Sequence, residues 1–307
     1  MSKRNMSIEL MRCCMMFGIV LLHIITQDHW FEQGRPVSRH FINILSPCVE
    51  GFVFISGYFG IKCSAQKIGR LLGLYVLYRL LFSMSWGLGD NWFLFGYVVL
   101  MMLAPVVNAA FEGKSSLEVI RLGLPIVIAV YGWSYLCVIP WTKPYIPRPY
   151  GFAPLSFFTM LGIYTAARMF RILDIETKIS FRLGLGLMAL SAVVILGGFH
   201  HHNSPASFVF VACLFSLMKR MNLSLRVDRL VGLAAPSMFG VFILHSTSAG
   251  KLLRREIIDV VAPAAGVWAS YFVTAAAVFC GCCAVDVLRR VWWTVISNFL
   301  NYSRHDK

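Results

Sequence analysis

Charge is scarce in this chain: 14% of its 307 residues are Asp, Glu, Lys or Arg, against about a quarter in soluble globular proteins. That shortage excludes a soluble domain with an ordinary charged surface. Acidic residues are scarcest, 14 against 28 Lys and Arg. The basic excess is spread in small groups and is not gathered into one arm or domain, which argues against nucleic acid as a partner. Zinc-ligand spacing is also missing. The nine cysteines lie mostly within apolar runs, and none stands with histidines at ligand intervals, so neither a disulfide framework nor a metal is expected. The chain has no internal repeat and no low-complexity segment. Its first apolar run contains Glu9 and Arg12 and is followed by no small-residue cleavage site, so it reads as a retained span and not as a leader.

What is abundant is apolar: 58% of the residues are hydrophobic, and the mean hydropathy is +0.70. These residues fall in runs of about twenty, the length a helix needs to cross the hydrocarbon core. The expected fold is therefore all-α, a polytopic integral membrane protein of about ten transmembrane helices. The runs are 8–26, 41–61, 68–87, 92–111, 120–139, 152–168, 183–199, 204–218, 230–247 and 262–285.

Arg35, Arg39, Lys143, Arg148, Lys251, Arg254 and Arg255 fall on one side of this arrangement, and the larger basic share falls on the other. The positive-inside rule then puts both termini in the cytoplasm. The external loops, 27–40, 140–151, 200–205 and 248–261, leave no room for a folded extramembrane domain, so 1–307 reads as a single membrane-embedded domain. The tail 291–307, with Trp292, Trp293, Ile296, Phe299 and Leu300, suits a cytoplasmic interfacial helix.

The first run carries the most informative polar residues. Arg12 and His23 are eleven positions apart, which on a helix is three turns plus about 20°, so they share a face about 16 Å apart. Glu9 joins that face one turn below Arg12. Ionisable groups inside a membrane face protein or a wet cavity and mark function. In a site of low polarity His23 is neutral, the state a general base requires. The same spacing fits a snorkelling Arg12 and an interhelical, hydrogen-bonded His23.

This pattern resembles the first helix of the acyltransferase-3 family of bacterial membrane acyltransferases, in which an acid, an arginine and a later catalytic histidine match Glu9, Arg12 and His23. A phenylalanine-rich run ending in Ser56-Gly57-Tyr58 is similar to the family's second signature. The family's basic cluster at the start of the third span is matched only in part, by Gln66-Lys67-Ile68-Gly69-Arg70. Asn91-Trp92-Phe93-Leu94, Ala104-Pro105-Val106-Val107-Asn108, Asn203-Ser204-Pro205 and Phe239 to His245 extend the likeness over nearly the whole chain. Where Glu9 and Glu50 stand the family commonly has Asp, and where Gly51 stands an apolar residue.

The resemblance implies an O-acyltransferase that moves an acyl group, usually acetyl, from cytoplasmic acyl-coenzyme A as co-substrate to a hydroxyl of a cell-envelope glycan. O-antigen, capsule or exopolysaccharide, free or lipid-linked, are the acceptor classes, and the inner membrane is the location. It implies a catalytic set of His23, Glu9 and Arg12 and donor contacts from Arg12, Lys67, Arg70, Ser56 and Trp92. Cations at the cytoplasmic ends of spans suit the donor's phosphates, although positive-inside charge alone accounts for Lys67 and Arg70. His23 would act as base on the acceptor hydroxyl, or as a transient acyl carrier.

Glu50 and Arg79 are deep enough in their spans to require a partner, and each suits the other. With His245, which closes the ninth run, they are candidates for the acceptor side, His245 reading equally as a packing histidine at the interface. His200, His201 and His202 read as plain loop. A carrier or flippase for a lipid-linked sugar or small metabolite is the alternative, favoured by inverted repeats and broken helices in matching positions. A glycan polymerase would require a long external catalytic loop. The oligomeric state is left open by the sequence.

Overall fold

The computed structural model describes residues 5–27, 39–83, 91–136, 157–197 and 204–305. Each of the ten apolar runs is mostly helical in its described part, and no strand occurs among the described residues. The helices are α1 (Met6–Gln27), α2 (Arg39–Leu45), α3 (Pro47–Phe59), α4 (Ala65–Phe82), α5 (Trp92–Phe111), α6 (Ser116–Leu136) and α7 (Phe157–Ile172). They continue with α8 (Ile175–Lys178), α9 (Phe181–Leu196), α10 (Pro205–Lys219), α11 (Leu225–Ala234), a 3-10 turn (Ala235–Ser237), α12 (Met238–Leu244) and α13 (Ser248–His305).

Local chemistry sets several of these starts. Ser180 and Ser204 each accept a hydrogen bond at 3.2 Å from the backbone three residues on, and Pro205 occupies the first turn of α10. These are standard N-terminal signals, since they satisfy or dispense with orphan N–H groups. Ahead of α6, Ser115 and Glu118 form a reciprocal capping box: the carboxylate accepts from the Ser115 N–H at 2.8 Å, and the Ser115 hydroxyl accepts from the Glu118 N–H at 3.4 Å.

Five described segments are long and apolar enough to cross a membrane: Met6–Thr26, His40–Phe59, Trp92–Phe111, Leu225–Leu244 and Ser248–Ser297. Phe181–Leu196 and Pro205–Lys219 are apolar but shorter. Among the remaining runs, α4 carries Lys67, Arg70 and Arg79, and α7 is 16 residues long and ends in basic residues. Three of the five are interrupted beside proline, at Ser46-Pro47, at Ala235-Pro236-Ser237 and near Pro263.

The sequence reading of 248–261 as a loop is corrected. It is the start of α13, because between Gly250 and Pro263 the chain contains neither glycine nor proline, and Ile258 and Ala262 repeat at helical spacing as buried positions. Pro263 and Gly266, the latter at φ 78° and ψ 164°, then kink the helix. The tail is helical to His305 as an extension of α13, with Trp292, Trp293 and Ile296 exposed. The loops expected at 27–40, 140–151 and 200–205 lie wholly or mostly outside the described residues, as do His200, His201 and His202.

The chain divides into two compact units, Met1–Asp28 with Leu74–Trp86 and Asn222–Lys307, and His29–Gly73 with Gly87–Met221. In the first, α1 packs on α11, α12 and α13, and Phe17 meets Phe279 edge to face at 5.9 Å. In the second, α3 lies against α7 and α10, α7 against α5 and α6, and α9 against α10. Phe54, fully buried, joins Phe170, Phe208 and Phe215 with ring centroids 5.3–5.5 Å apart.

Candidate functional site

In the first unit, α1 and α12 bring two imidazoles together. His23 Nδ1 lies 2.8 Å from His245 Nε2, with the rings inclined by 26° and their centroids 5.0 Å apart. His245 is fully buried. Its Nδ1 lies 2.9 Å from the carbonyl oxygen of Val241, one helical turn earlier.

A carbonyl only accepts, so His245 Nδ1 carries the proton. With neutral rings the rest of the chain of bonds is determined. His245 Nε2 then has the lone pair and accepts from His23 Nδ1–H, which leaves His23 Nε2 as a lone pair that neither bond uses. A free imidazole lone pair in a low-polarity site is a competent proton acceptor.

Toward the N-terminus of the same helix, Arg12 donates to the Glu9 carboxylate at 3.0 and 3.3 Å, so the acid and base expected on one face are paired there. On α13, Arg254 is buried and Lys251 half-buried; both act electrostatically on His23, and Arg254 acts on His245 as well. Arg79, also in this unit, is buried. At the far end of α13, the buried Asp286 accepts from Tyr78 at 2.6 Å and from Arg289 at 3.0 Å. A Cβ at Gly240 would stand 2.6 Å from that carboxylate, so glycine is what lets α12 reach α13.

In the second unit, the Ser56-Gly57-Tyr58 motif is a three-way junction. Ser56 donates to the Phe52 carbonyl and accepts from Tyr97 of α5, both at 2.9 Å. Gly57 touches α7, where a Cβ would lie 2.6 Å from the Tyr164 carbonyl oxygen. Tyr58 accepts from Lys219 at 2.6 Å and Arg171 at 2.9 Å, and both cations lie over its ring, 5.0 and 5.2 Å from the centroid. The buried Glu176 accepts from the same two cations at 2.6 and 3.1 Å. Burial alone would raise the Glu176 carboxyl, but hydrogen bonds from Lys219 and Tyr58 and the charges of Lys219 and Arg171 hold it below its ordinary range. Lys219 is raised for the matching reason, its bonds to Glu176 and Tyr58 outweighing burial.

Just beyond α3, Gly60 adopts φ 75° and turns the chain into a cleft of about 530 Å³ whose wall includes Lys62, Asn108 and Arg168. The loop is pinned by Asn108, which donates to the Ile61 carbonyl at 3.0 Å, and by Tyr164, which accepts from the Ile61 N–H at 3.0 Å. Lys67 donates to the Lys62 carbonyl at 2.9 Å, while Arg70 and Trp92 are exposed. Glu50 is buried and acts electrostatically on the buried Tyr131.

Of the expected residues, the structure thus joins Glu9 to Arg12 and His23 to His245 within one unit. It places Lys67, Arg70, Ser56, Trp92 and Glu50 in the other. Sequence reasoning missed Arg254 as a buried group and the Tyr58–Glu176 cluster. The signals were present, as basic residues on the side that should be poor in them, and as Glu176 within a segment rich in basic residues. No family model, no curated protein and no solved structure matches this chain.

Proposed function

We propose that the protein is a multi-pass inner-membrane O-acyltransferase, with about ten spans and both termini in the cytoplasm. It takes an acyl group, acetyl by the resemblance, from cytoplasmic acyl-coenzyme A and passes it to a hydroxyl of a cell-envelope glycan. The observation that carries this reading is the His23–His245–Val241 chain of hydrogen bonds, which leaves one imidazole lone pair available on a membrane helix.

In this reading His23 Nε2 takes the proton of the acceptor hydroxyl as its oxygen attacks the thioester, and returns that proton to the departing thiolate. His245 is a positioning residue that fixes the tautomer. Arg12, on the same helix as His23, supplies a cationic group for the donor's phosphates.

The test uses purified protein in lipid nanodiscs with acetyl-coenzyme A, following thiol release with water as the slow acceptor. Wild type releases thiol, and His23→Ala lowers the rate about a thousand-fold while still binding the donor. Full activity in His23→Ala, or a wild type that neither binds nor hydrolyses acetyl-coenzyme A, overturns the proposal and favours the carrier or flippase.

A further inference from the structure

The cleft beyond α3, in the second unit, lies where two apolar segments end. His40–Phe59 and Trp92–Phe111 are each long and apolar enough to span a membrane, and their last residues, Phe59 and Phe111, both line it. Arg168 enters it from near the C-terminal end of α7. A cleft bounded by the ends of two spans stands at the height of lipid headgroups, where acyl chains give way to water. Its volume of about 530 Å³ is in the range of sites that hold small molecules.

The ionisable side chains in its wall are Lys62, Arg168 and Glu112. Lys62 and Glu112 are exposed and Arg168 is half-buried. None of the three is in an ion pair among the described residues. Arg168 donates one long bond, from Nη1 to the Tyr58 carbonyl at 3.5 Å, and its Nε is buried without a partner among the described residues. A guanidinium has five N–H groups, so most of its donor capacity is unused. Direct contact fixes where it stands: a Cβ at Gly60 would lie 3.3 Å from its Cζ and Nη1. Positive charge at the end of a span requires no ligand. What is added here is an enclosed cleft and an arginine in its wall with few bonds of its own. Two cations and one carboxylate leave a single positive charge, which one monoanionic phosphodiester balances and the several charges of a nucleotide polyphosphate exceed.

Next to the charged groups, α5 supplies an apolar track. Met102, Pro105, Val106 and Ala109 share one of its faces through i,i+3 and i,i+4 spacing. Pro105 and Ala109 line the cleft, while Met102 and Val106 are 59% and 65% exposed, so the cleft opens onto an apolar strip along the helix. We propose that the cleft binds one anionic phospholipid of the phosphatidylglycerol kind, with its phosphodiester held by Arg168 and Lys62 and an acyl chain laid along this face of α5. Basic pockets between membrane helices recognise lipid headgroups in this way, and a guanidinium adds directed, charge-assisted hydrogen bonds to the phosphate oxygens. The site belongs to the second unit and uses none of the residues of the imidazole pair, so it stands or falls independently of the acyltransferase reading.

The experiment places the full-length protein in phosphatidylcholine nanodiscs doped with phosphatidylglycerol and counts the lipid it retains by native mass spectrometry, with thermal unfolding measured for each variant. Wild type keeps one phosphatidylglycerol, preferred about ten-fold over phosphatidylcholine, the effect of a charge-assisted hydrogen bond. Arg168→Gln and Lys62→Gln each weaken that preference several-fold, and the double variant loses it. Arg121→Gln, which removes an exposed cation of α6 that does not line the cleft, leaves it unchanged. A photoactivatable phosphatidylglycerol labels α5 between Met102 and Ala109. The proposal is overturned if wild type shows no preference, or if the label lands elsewhere. The Lys62 ammonium makes no bond among the described residues, so Lys62→Gln keeps the fold, and an unchanged preference in that variant alone also overturns the proposal. Displacement of the lipid by excess inorganic phosphate or ATP overturns it too, and assigns the cleft to a soluble phosphate.

Discussion

The two units each bury a polar cluster, and the clusters are built on opposite principles. In the second unit, Tyr58, Arg171, Glu176 and Lys219 pair strong charges at 2.6–3.1 Å, so the carboxylate is held between two cations. In the first unit, two neutral imidazoles spend two nitrogens on one shared bond and one on Val241. One lone pair is left over. A cluster of paired charges holds helices together, whereas one with an imidazole nitrogen in reserve can accept a proton.

The sharpest way to break this contrast is to remove one group from each side. His23→Ala reduces thiol release about a thousand-fold and leaves thermal unfolding nearly unchanged, because only one hydrogen bond is lost. In the second unit the effects are reversed. Gly57→Ala forces a methyl group onto the Tyr164 backbone and lowers stability by about 2 kcal/mol, read by chemical denaturation, with no direct effect on chemistry.

Glu176→Gln removes the anion from between Arg171 and Lys219 and costs about 1–2 kcal/mol near neutral pH, between the values for exposed and buried pairs. Because the folded carboxyl lies below its ordinary value of 4.5, its stabilising contribution is complete above that value and disappears as the pH falls through the lower, folded one. Wild type and Glu176→Gln therefore converge in stability on acidification below about pH 4.5. A gap that stayed constant would remove the ionised Glu176 from the cluster. The smallest effect is that of Ser180→Ala, which removes an N-cap outside either cluster, costs about 1 kcal/mol and leaves turnover intact. If Glu176→Gln stopped thiol release without loss of stability, the contrast between the units would be wrong.

Helical periodicity made the α1 stripe legible, since Glu9, Arg12 and His23 depend only on local geometry, and the ten apolar runs located helices for the same reason. What was not legible came from tertiary contact. Lys251, Arg254 and Arg255 looked like loop charge because an apolar-run reading ends a span at the first basic group, whereas α13 buries only Arg254 of the three. His245 could be noticed from sequence, but its bond to His23, more than two hundred residues away, could not. The Ser56-Gly57-Tyr58 motif was visible as a pattern, while its role as a junction needed Tyr97, Tyr164 and Lys219 from three other helices. The lengths and interruptions of the spans depend on Ser46, Pro236 and Gly266, whose effects on helix continuity vary with context.

The bend at Gly266 has a bearing on how α13 meets lipid. Unbroken, its 58 residues would form a rod of about 87 Å. The bend divides this into pieces of about 27 and 58 Å. In a bilayer the shorter piece approaches the depth of the acyl-chain layer, and the longer one, at an ordinary tilt of about 20°, overshoots even the headgroups. Its distal end must then stand in water or rest on the membrane surface, with the neighbouring indoles of Trp292 and Trp293 at the height where such rings anchor a protein among phosphates and glycerol.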